Sequence, residues 1–368
     1  MSFSIINPPT ELKKFPGDLK WRPEIIDYTQ SDAYRQHFEH RSLLGRVNVF
    51  FVFLRYFIFN MLKRLINYEL IPLDIRKPKS INAYCKFFKI SVYNIFRVTG
   101  NKYRTINSDN SSLIYNEMMN NGISVVSIPA SCFDYLSEVA KDSFMKLRAK
   151  RERMANAGSR NFDESRSYAS RDNASEMFKA VEAILNDSGI MLAASKYLQR
   201  DASLVDINPQ INDVTDNFWI NIFTDIKNMV LPKSAYFHRD ASGGDLKAII
   251  YLTDVNEANG PFTYSIGSHN ISISRFDDYT CETNDSSGFS STSLSSRIKF
   301  AMLPKWLRQK GSFGNDLNDD SFLSKSIIDS AWSVTANKGS IVLFDTKGIH
   351  RGGMVREGER LVLTCVIG

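Results

Sequence analysis

The chain has 368 residues, 43% hydrophobic and 23% charged, with a formal charge of +6. That balance excludes a disordered polyelectrolyte and provides enough chain for two domains or one elaborated domain. The mild excess of base suits an anionic ligand or surface but is not a nucleic-acid footprint, so no nucleic-acid partner is expected. Four cysteines without a CxxC pair read as free thiols in a reducing compartment, which predicts a cytoplasmic protein.

Residues 1–40 are polar and punctuated by proline, the pattern of a loosely packed arm. Within it His37 and His40 have helical spacing, but no further ligand lies nearby and they read as a solvated helix face. The stretch 43–71, "LLGRVNVFFVFLRYFIFNMLKRLINYELI", is dense in aromatics and predicts a helix. A membrane span needs about 20 apolar residues. Arg46, Arg55, Lys63 and Arg64 interrupt this run, and a central arginine costs about 2.5–3.5 kcal/mol on insertion. The helix is therefore expected to be buried against the main domain or a second subunit, or to lie on an anionic membrane surface as a peripheral element.

From Ser111 the pattern reads helix, Asn-Gly turn, the short strand "ISVVSI", then a second helix carrying Phe133, Leu136, Val139, Phe144 and Leu147. Its basic end, "KLRAKRER", reads as a solvated helix terminus favoured by the helix dipole. Beyond about Asp216 the chain turns strand-like: "NFWINIFTDI", "SAYFHRD", "LKAIIYLTDV", "PFTYSIGSH", "GSIVLFDT" and "RLVLTCVIG" are short, β-branched and aromatic, with Gly, Asn and Asp between them. No regular alternation with helices accompanies them, so a sandwich or jelly roll is predicted, not a doubly wound parallel sheet. Residues 270–335 interrupt the series as a long insertion.

The whole chain has five histidines, three of them in this β-rich half: His238, His269 and His350. In "YFHRD", His238 and Asp240 are two apart, so on a strand they share a face and can share a metal. His350, at the end of "GSIVLFDTKGI" and ahead of "HRGG", is the better third ligand, opening from a buried strand onto a cavity. Two imidazoles and a carboxylate suit the facial triad of Fe(II) oxygenases, although zinc accepts the same ligand types. Arg360 opens the final strand, and a buried arginine facing a cavity is a natural bidentate partner for a carboxylate. A metal triad with a cavity arginine is the equipment of an iron oxygenase that uses a dicarboxylate co-substrate.

With "HRD" at 238–240, "YLTDVNEANGPFTYSIGSH" at 251–269, "GSIVLFDTKGIHRGG" at 339–353 and Arg360 in order, the chain resembles the phytanoyl-CoA dioxygenase family of Fe(II)/2-oxoglutarate oxygenases. "MMNNGISVVSIPASCFDYL" resembles that family's opening, so the likeness covers about residues 111–368. One departure is "SIGSH", where relatives often have proline before the glycine. The resemblance implies an α+β fold with a mainly β core, a double-stranded β-helix of jelly-roll or cupin type with flanking helices. It implies Fe(II) on His238, Asp240 and His350, and the distal carboxylate of 2-oxoglutarate on Arg360. Thr364 points the same way from the last strand and would help hold the co-substrate, and Lys247 stands where bacterial relatives often carry a lysine, which would orient the co-substrate or an acidic substrate, a surface lysine at a strand end being the alternative. His269 reads as a structural group in the Gly-Ser-His turn. Because halogenating relatives replace the carboxylate ligand, Asp240 favours hydroxylation, using O2 and releasing succinate and CO2, with desaturation, ring formation and epimerisation open on the same iron. The Arg, Lys, Asp and Ser residues of 148–175 and 270–335, expected to wall the substrate, point to a polar small molecule. The expected division is residues 1–110 as a partly helical N-terminal extension and 111–368 as the dioxygenase domain, with a lid insertion at about 270–335. The rival from another class is a catalytically silent binding or membrane-associated assembly protein on the same fold, with 43–71 as its working part, homo-oligomeric or membrane-bound. A zinc hydrolase is less well served, for it would leave Arg360 without a role and shows no clear general base.

Overall fold

The computed structural model describes residues 3–17, 43–65, 109–156, 173–214, 233–240, 245–289, 299–310 and 317–368, together with Leu19, Cys85, Lys86, Phe88, Lys89 and Ala169. In chain order the described elements are β1 (Ser4–Ile6), α1 (Leu43–Leu65), α2 (Asp109–Asn121), β2 (Ile123–Ser127), α3 (Ala130–Asn156), α4 (Ser175–Asp187), α5 (Ile190–Leu198), β3 (Leu204–Asp213) and β4 (Leu246–Tyr251). After these come β5 (Thr263–Ser265), α6 (Arg275–Ser286), α7 (Lys305–Lys310), α8 (Phe322–Asp329), β6 (Ala331–Ser333), β7 (Ser340–Asp345), β8 (His350–Arg351) and β9 (Glu359–Ile367).

Side chains on a strand alternate between its two faces, and that period organises the whole domain. On β9, Leu361, Leu363, Cys365 and Ile367 pack into one core, whereas Arg360, Val362 and Thr364 face the other way onto a cavity. On β4, Leu246, Ala248 and Ile250 join the same core and Lys247, Ile249 and Tyr251 face the cavity. These strands belong to an antiparallel sheet of order β1-β2-β7-β4-β9-β3. Its first face is covered by helices that present Ile114 and Met118 (α2), Leu136 and Phe144 (α3), and Val181 and Leu185 (α4). α4 forms because Met177, Phe178, Val181, Ile184 and Leu185 recur at helical spacing and bury one face.

The second face of this sheet looks toward a smaller antiparallel sheet, β6-β5-β8. Tyr251, Phe262, Tyr264, Trp332, Val342 and Phe344 fill the space between them. A bridge between His238 and His350 lays one more residue along the edge of β8. The fold is thus a mixture of helices and antiparallel sheets, with helices on the outer face of the larger sheet.

The N-terminal region and the insertion are both tied in. β1 pairs with β2 and forms the edge of the larger sheet. Phe15 is buried with Phe237, Leu323, Ile327 and Ile349. α1 buries Val49 and Phe53 against Phe289, Phe300, Leu303 and Leu307 of the insertion. The Asn60 side chain donates to Thr283 Oγ1 (3.4 Å) and Ser286 Oγ (2.9 Å) on α6.

"SAYFHRD" is not a strand. Residues 233–236 form a turn, and Tyr236 has a φ of 64°. A left-handed residue cannot continue an extended ladder, so pairing shrinks to the His238 bridge, and the Asp240 N–H donates to the Thr346 carbonyl at 3.0 Å. The basic end of α3 is partly anchored: Arg148 pairs with Glu359, and Arg151 reaches both Asp213 (2.9 Å) and the Ile211 carbonyl (3.1 Å). The expected strand "NFWINIFTDI", both His37 and His40, and most of 157–172 lie outside the described residues. All four cysteines are free of disulfides.

Candidate metal centre and its cavity

Three local devices bring His238, Asp240 and His350 together. The bridge between His238 and His350 sets the two rings 4.6 Å apart, centroid to centroid. The bond from the Asp240 N–H to Thr346 folds the HRD segment back over the turn after β7. Each imidazole is also fixed by a carbonyl two residues earlier. His238 Nδ1 lies 2.9 Å from the Tyr236 oxygen, and His350 Nδ1 lies 2.9 Å from the Gly348 oxygen. A ring that donates from Nδ1 keeps a lone pair on Nε2, the tautomer a metal requires. The left-handed turn at Tyr236 thus aims a carbonyl at a ligand imidazole.

The Nε2 atoms converge on the carboxylate. His238 Nε2 is 3.7 Å from Asp240 Oδ1 and His350 Nε2 is 3.8 Å from Asp240 Oδ2. One ligand atom from each residue lies within 4.8 Å of the others. Among the described residues this is the one such cluster of His, Cys, Asp and Glu groups. Two imidazoles and a carboxylate gathered beside an open cavity fit a divalent metal that must keep positions free.

Glycine is required at 348, because a side chain there would collide with the Tyr264 hydroxyl. That hydroxyl donates to the Asp345 carbonyl at 3.1 Å, so β5 and the approach to His350 are in direct contact.

Burial pushes His350 down to about 3, with His238 adding to the effect and Asp240 opposing it. Its unfolded imidazole protonates near the ordinary 6.5. Between about pH 6.5 and 3 the unfolded chain therefore binds the extra proton. Stability present above pH 6.5 is lost as the pH falls through that window, at up to about 1.4 kcal/mol per unit. In chelator-treated protein the urea midpoint should drop steadily from pH 6.5 toward 4. His350→Gln, which cannot take that proton, should show a shallower drop; parallel curves would remove His350 as the cause.

For Asp240, burial pulls the carboxyl up, but Lys247, His350 and His238 outweigh it and hold it well below the usual carboxylate range. The Lys247 ammonium is the strongest of these partners, at 2.5 Å from Asp240 Oδ2. The sequence points Lys247 toward the co-substrate or a substrate; in the fold it lies on the Asp240 carboxylate itself. A metal must take that oxygen from it and then tolerate a nearby cation. Charge-assisted hydrogen bonds contribute about 1.5–3 kcal/mol. Lys247→Met should accordingly tighten divalent-metal binding about ten-fold in a competition titration, and weaker binding would mean that the lysine orients Asp240 for the metal.

The cluster opens into a cavity of about 200 Å³. Arg360 and Thr364 line its wall from β9 and Lys247 from β4, so the sequence-predicted residues share one space with the histidines. Arg360 is buried, and Thr364 Oγ1 accepts from Gln210 Nε2 at 3.0 Å. His269 lies apart, contacting the Met119 carbonyl at 3.2 Å.

Sequence reading missed Gln210, Asn212 and Asp213, which line the same cavity from β3. The signal was present: in "VDINPQIND", Ile207 and Ile211 alternate with Asn208, Gln210 and Asn212. Pro209 masked it, because proline argues against a central strand. β3 is the edge of its sheet, where proline is allowed. None of the described residues of 270–335 lines the cavity.

No protein-family model and no curated protein matches the chain. Several solved structures do. AviO1 from Streptomyces viridochromogenes Tue57 is 14% identical, with 72% of this chain and 96% of that chain covered and a TM-score of 0.38. EctD from S. alaskensis with 2-oxoglutarate and 5-hydroxyectoine is 12% identical, covering 74% and 81%, with a TM-score of 0.41. The epimerase SnoN in complex with Fe3+, alpha-ketoglutarate and nogalamycin RO is 14% identical, covering 70% and 82%, with a TM-score of 0.38. At such identities and TM-scores, the chemistry of this chain rests on its own residues.

Proposed function

We propose that the protein is an Fe(II)- and 2-oxoglutarate-dependent dioxygenase of the phytanoyl-CoA dioxygenase family, hydroxylating an unactivated C–H of a polar small molecule. The observation that carries this reading is a His238–Asp240–His350 cluster whose two histidines share the walls of one cavity with a buried Arg360. In this reading the two facing antiparallel sheets are the halves of a double-stranded β-helix. When bound, iron with 2-oxoglutarate and O2 supplies oxidative decarboxylation to succinate and CO2, coupled to attack on the substrate.

The chain's own residues would contribute binding and order. His238 and His350 hold the metal through Nε2, and Asp240 supplies a carboxylate oxygen. Arg360 is placed to grip the far carboxylate of 2-oxoglutarate as a two-pronged donor. Thr364, held by Gln210, offers a hydroxyl on the same wall. Tyr251, Phe262 and Phe344 make part of the wall apolar, which keeps water from the reacting end. Gln210, Asn212 and Asp213, from β3 beside β9, support a polar substrate rather than a bare hydrocarbon chain.

The test is anaerobic titration with Fe(II) and 2-oxoglutarate, then a metabolite screen for substrate-stimulated succinate release. A weak visible charge-transfer band that needs both components supports the reading. Tight zinc binding with no response to 2-oxoglutarate would replace it with the hydrolase reading.

A further inference from the structure

α1 buries only one side. Val49, Phe53 and Asn60 face the insertion and are buried, while Leu44, Val47, Phe51, Leu54, Ile58 and Leu62 look outward. Leu44 is 81% exposed and Phe51 61%. At 100° per residue these six side chains form one continuous stripe opposite the buried side. The helix is long and apolar enough by composition to cross a membrane, yet it is docked on α6 and α7.

The flanks of the stripe are cationic. Arg46 and Arg55 are exposed on either side of it, and α1 contains no Asp or Glu. Beside it runs a groove of about 510 Å³ with an apolar floor that includes Phe50, Met302 and Leu303, rimmed by Arg46, Lys305 and Arg308. Trp306, half exposed, stacks on Phe276 at 6.1 Å, and Phe276 in turn meets Phe57 of α1 at 5.5 Å. An exposed apolar stripe, a tryptophan at its margin and basic residues without a carboxylate on the helix are the features of a surface that sits in an anionic lipid interface.

We propose that α1, with Trp306 and the Arg46–Lys305–Arg308 groove, docks the protein peripherally on a bilayer containing anionic lipid. Charge decides against the other occupants. Two copies meeting through this stripe would bring Arg46 and Arg55 of each close together, with no carboxylate on α1 to pair them. A spanning arrangement would strip Val49 and Phe53 from the insertion and take Asn60 from its two hydroxyl partners. Lying in the interface keeps those contacts and leaves the arginines among the headgroups.

The experiment is flotation of the full chain with vesicles of phosphatidylcholine alone and of phosphatidylcholine mixed with phosphatidylglycerol, with light scattering of the free protein. The expected result is flotation with the mixed vesicles only, reversed by high salt. Phe51→Asp with Ile58→Asp, and separately Arg46→Glu with Arg55→Glu, should each lower the bound fraction about ten-fold or more. All four side chains are exposed, so thermal unfolding should match the wild type. Failure to float overturns the proposal, and a dimer that Phe51→Asp with Ile58→Asp converts to monomer would make this face a self-interface. Flotation that survives high salt and alkaline carbonate would mean a spanning helix. Flotation indifferent to both variant pairs would place the contact elsewhere.

Discussion

His350→Ala should abolish iron binding, and with it the band that Fe(II) and 2-oxoglutarate produce together without oxygen. His350 is the most enclosed of the three ligands, and its ring is held by the Gly348 carbonyl on one side and faces Asp240 on the other. Losing a mere outer-shell partner of a metal costs about 10–100-fold in affinity. Losing a ligand itself should exceed that, leaving His238 and an Asp240 carboxylate for which the Lys247 ammonium competes. His238→Ala should behave alike, whereas His269→Ala should leave the band intact, since His269 contacts Met119 away from the cavity. Because an alanine at 350 also opens a space, each variant is compared with the wild type by circular dichroism and urea midpoint. A folded His350→Ala protein with an undiminished band would sink the third-ligand assignment.

The second large effect concerns the co-substrate. Truncating one partner of a buried hydrogen-bonded charge pair costs about 2–5 kcal/mol, which is about 30- to 5,000-fold in affinity. Arg360→Ala should weaken 2-oxoglutarate binding by that much while the affinity for iron stays near wild type, because Arg360 comes from β9 and the metal ligands do not. Arg360→Lys keeps the charge but loses the planar fork, and should recover only part of the loss. A 2-oxoglutarate affinity within two-fold of wild type in Arg360→Ala would show that the carboxylate is held elsewhere.

The parts of this arrangement that were legible in the sequence are those written in strong local patterns. "GSIVLFDT" and "RLVLTCVIG" are unbroken apolar or alternating runs bounded by turn residues, and they became β7 and β9 almost unchanged. The Asn-Gly turn before "ISVVSI" likewise marked the junction of α2 and β2. Residues that depend on distant partners were harder to read. "SAYFHRD" has strand composition, but the left-handed turn at Tyr236 takes it out of the ladder, and nothing in the residue types announces a tyrosine at positive φ. The pairing of β1 with β2 joins residues more than a hundred positions apart and leaves no local trace. Lys247 could be placed on its strand, but its approach to Asp240 depends on how the HRD segment folds back over β7. α1 was legible as an aromatic-rich helix; that the insertion forms its buried partner was not, because Phe289, Phe300 and Leu303 stand in no obvious pattern.

The two ends of the proposed site belong to different sheets. His238 and His350 ride on the edge of the smaller one, and Arg360 and Thr364 project from the larger. What keeps those ends apart is the layer of rings between the sheets. The Tyr251 hydroxyl donates to the Val334 carbonyl at 3.1 Å and accepts from the Phe262 N–H at 3.1 Å, and Phe262 packs on Phe344 at 4.5 Å between ring centroids. Under the proposed reading that layer is a ruler. A dicarboxylate that touched the metal with one end and the arginine with the other would be measured against its thickness, so the length of chain accepted would be set by wall residues that grip neither of its carboxylates.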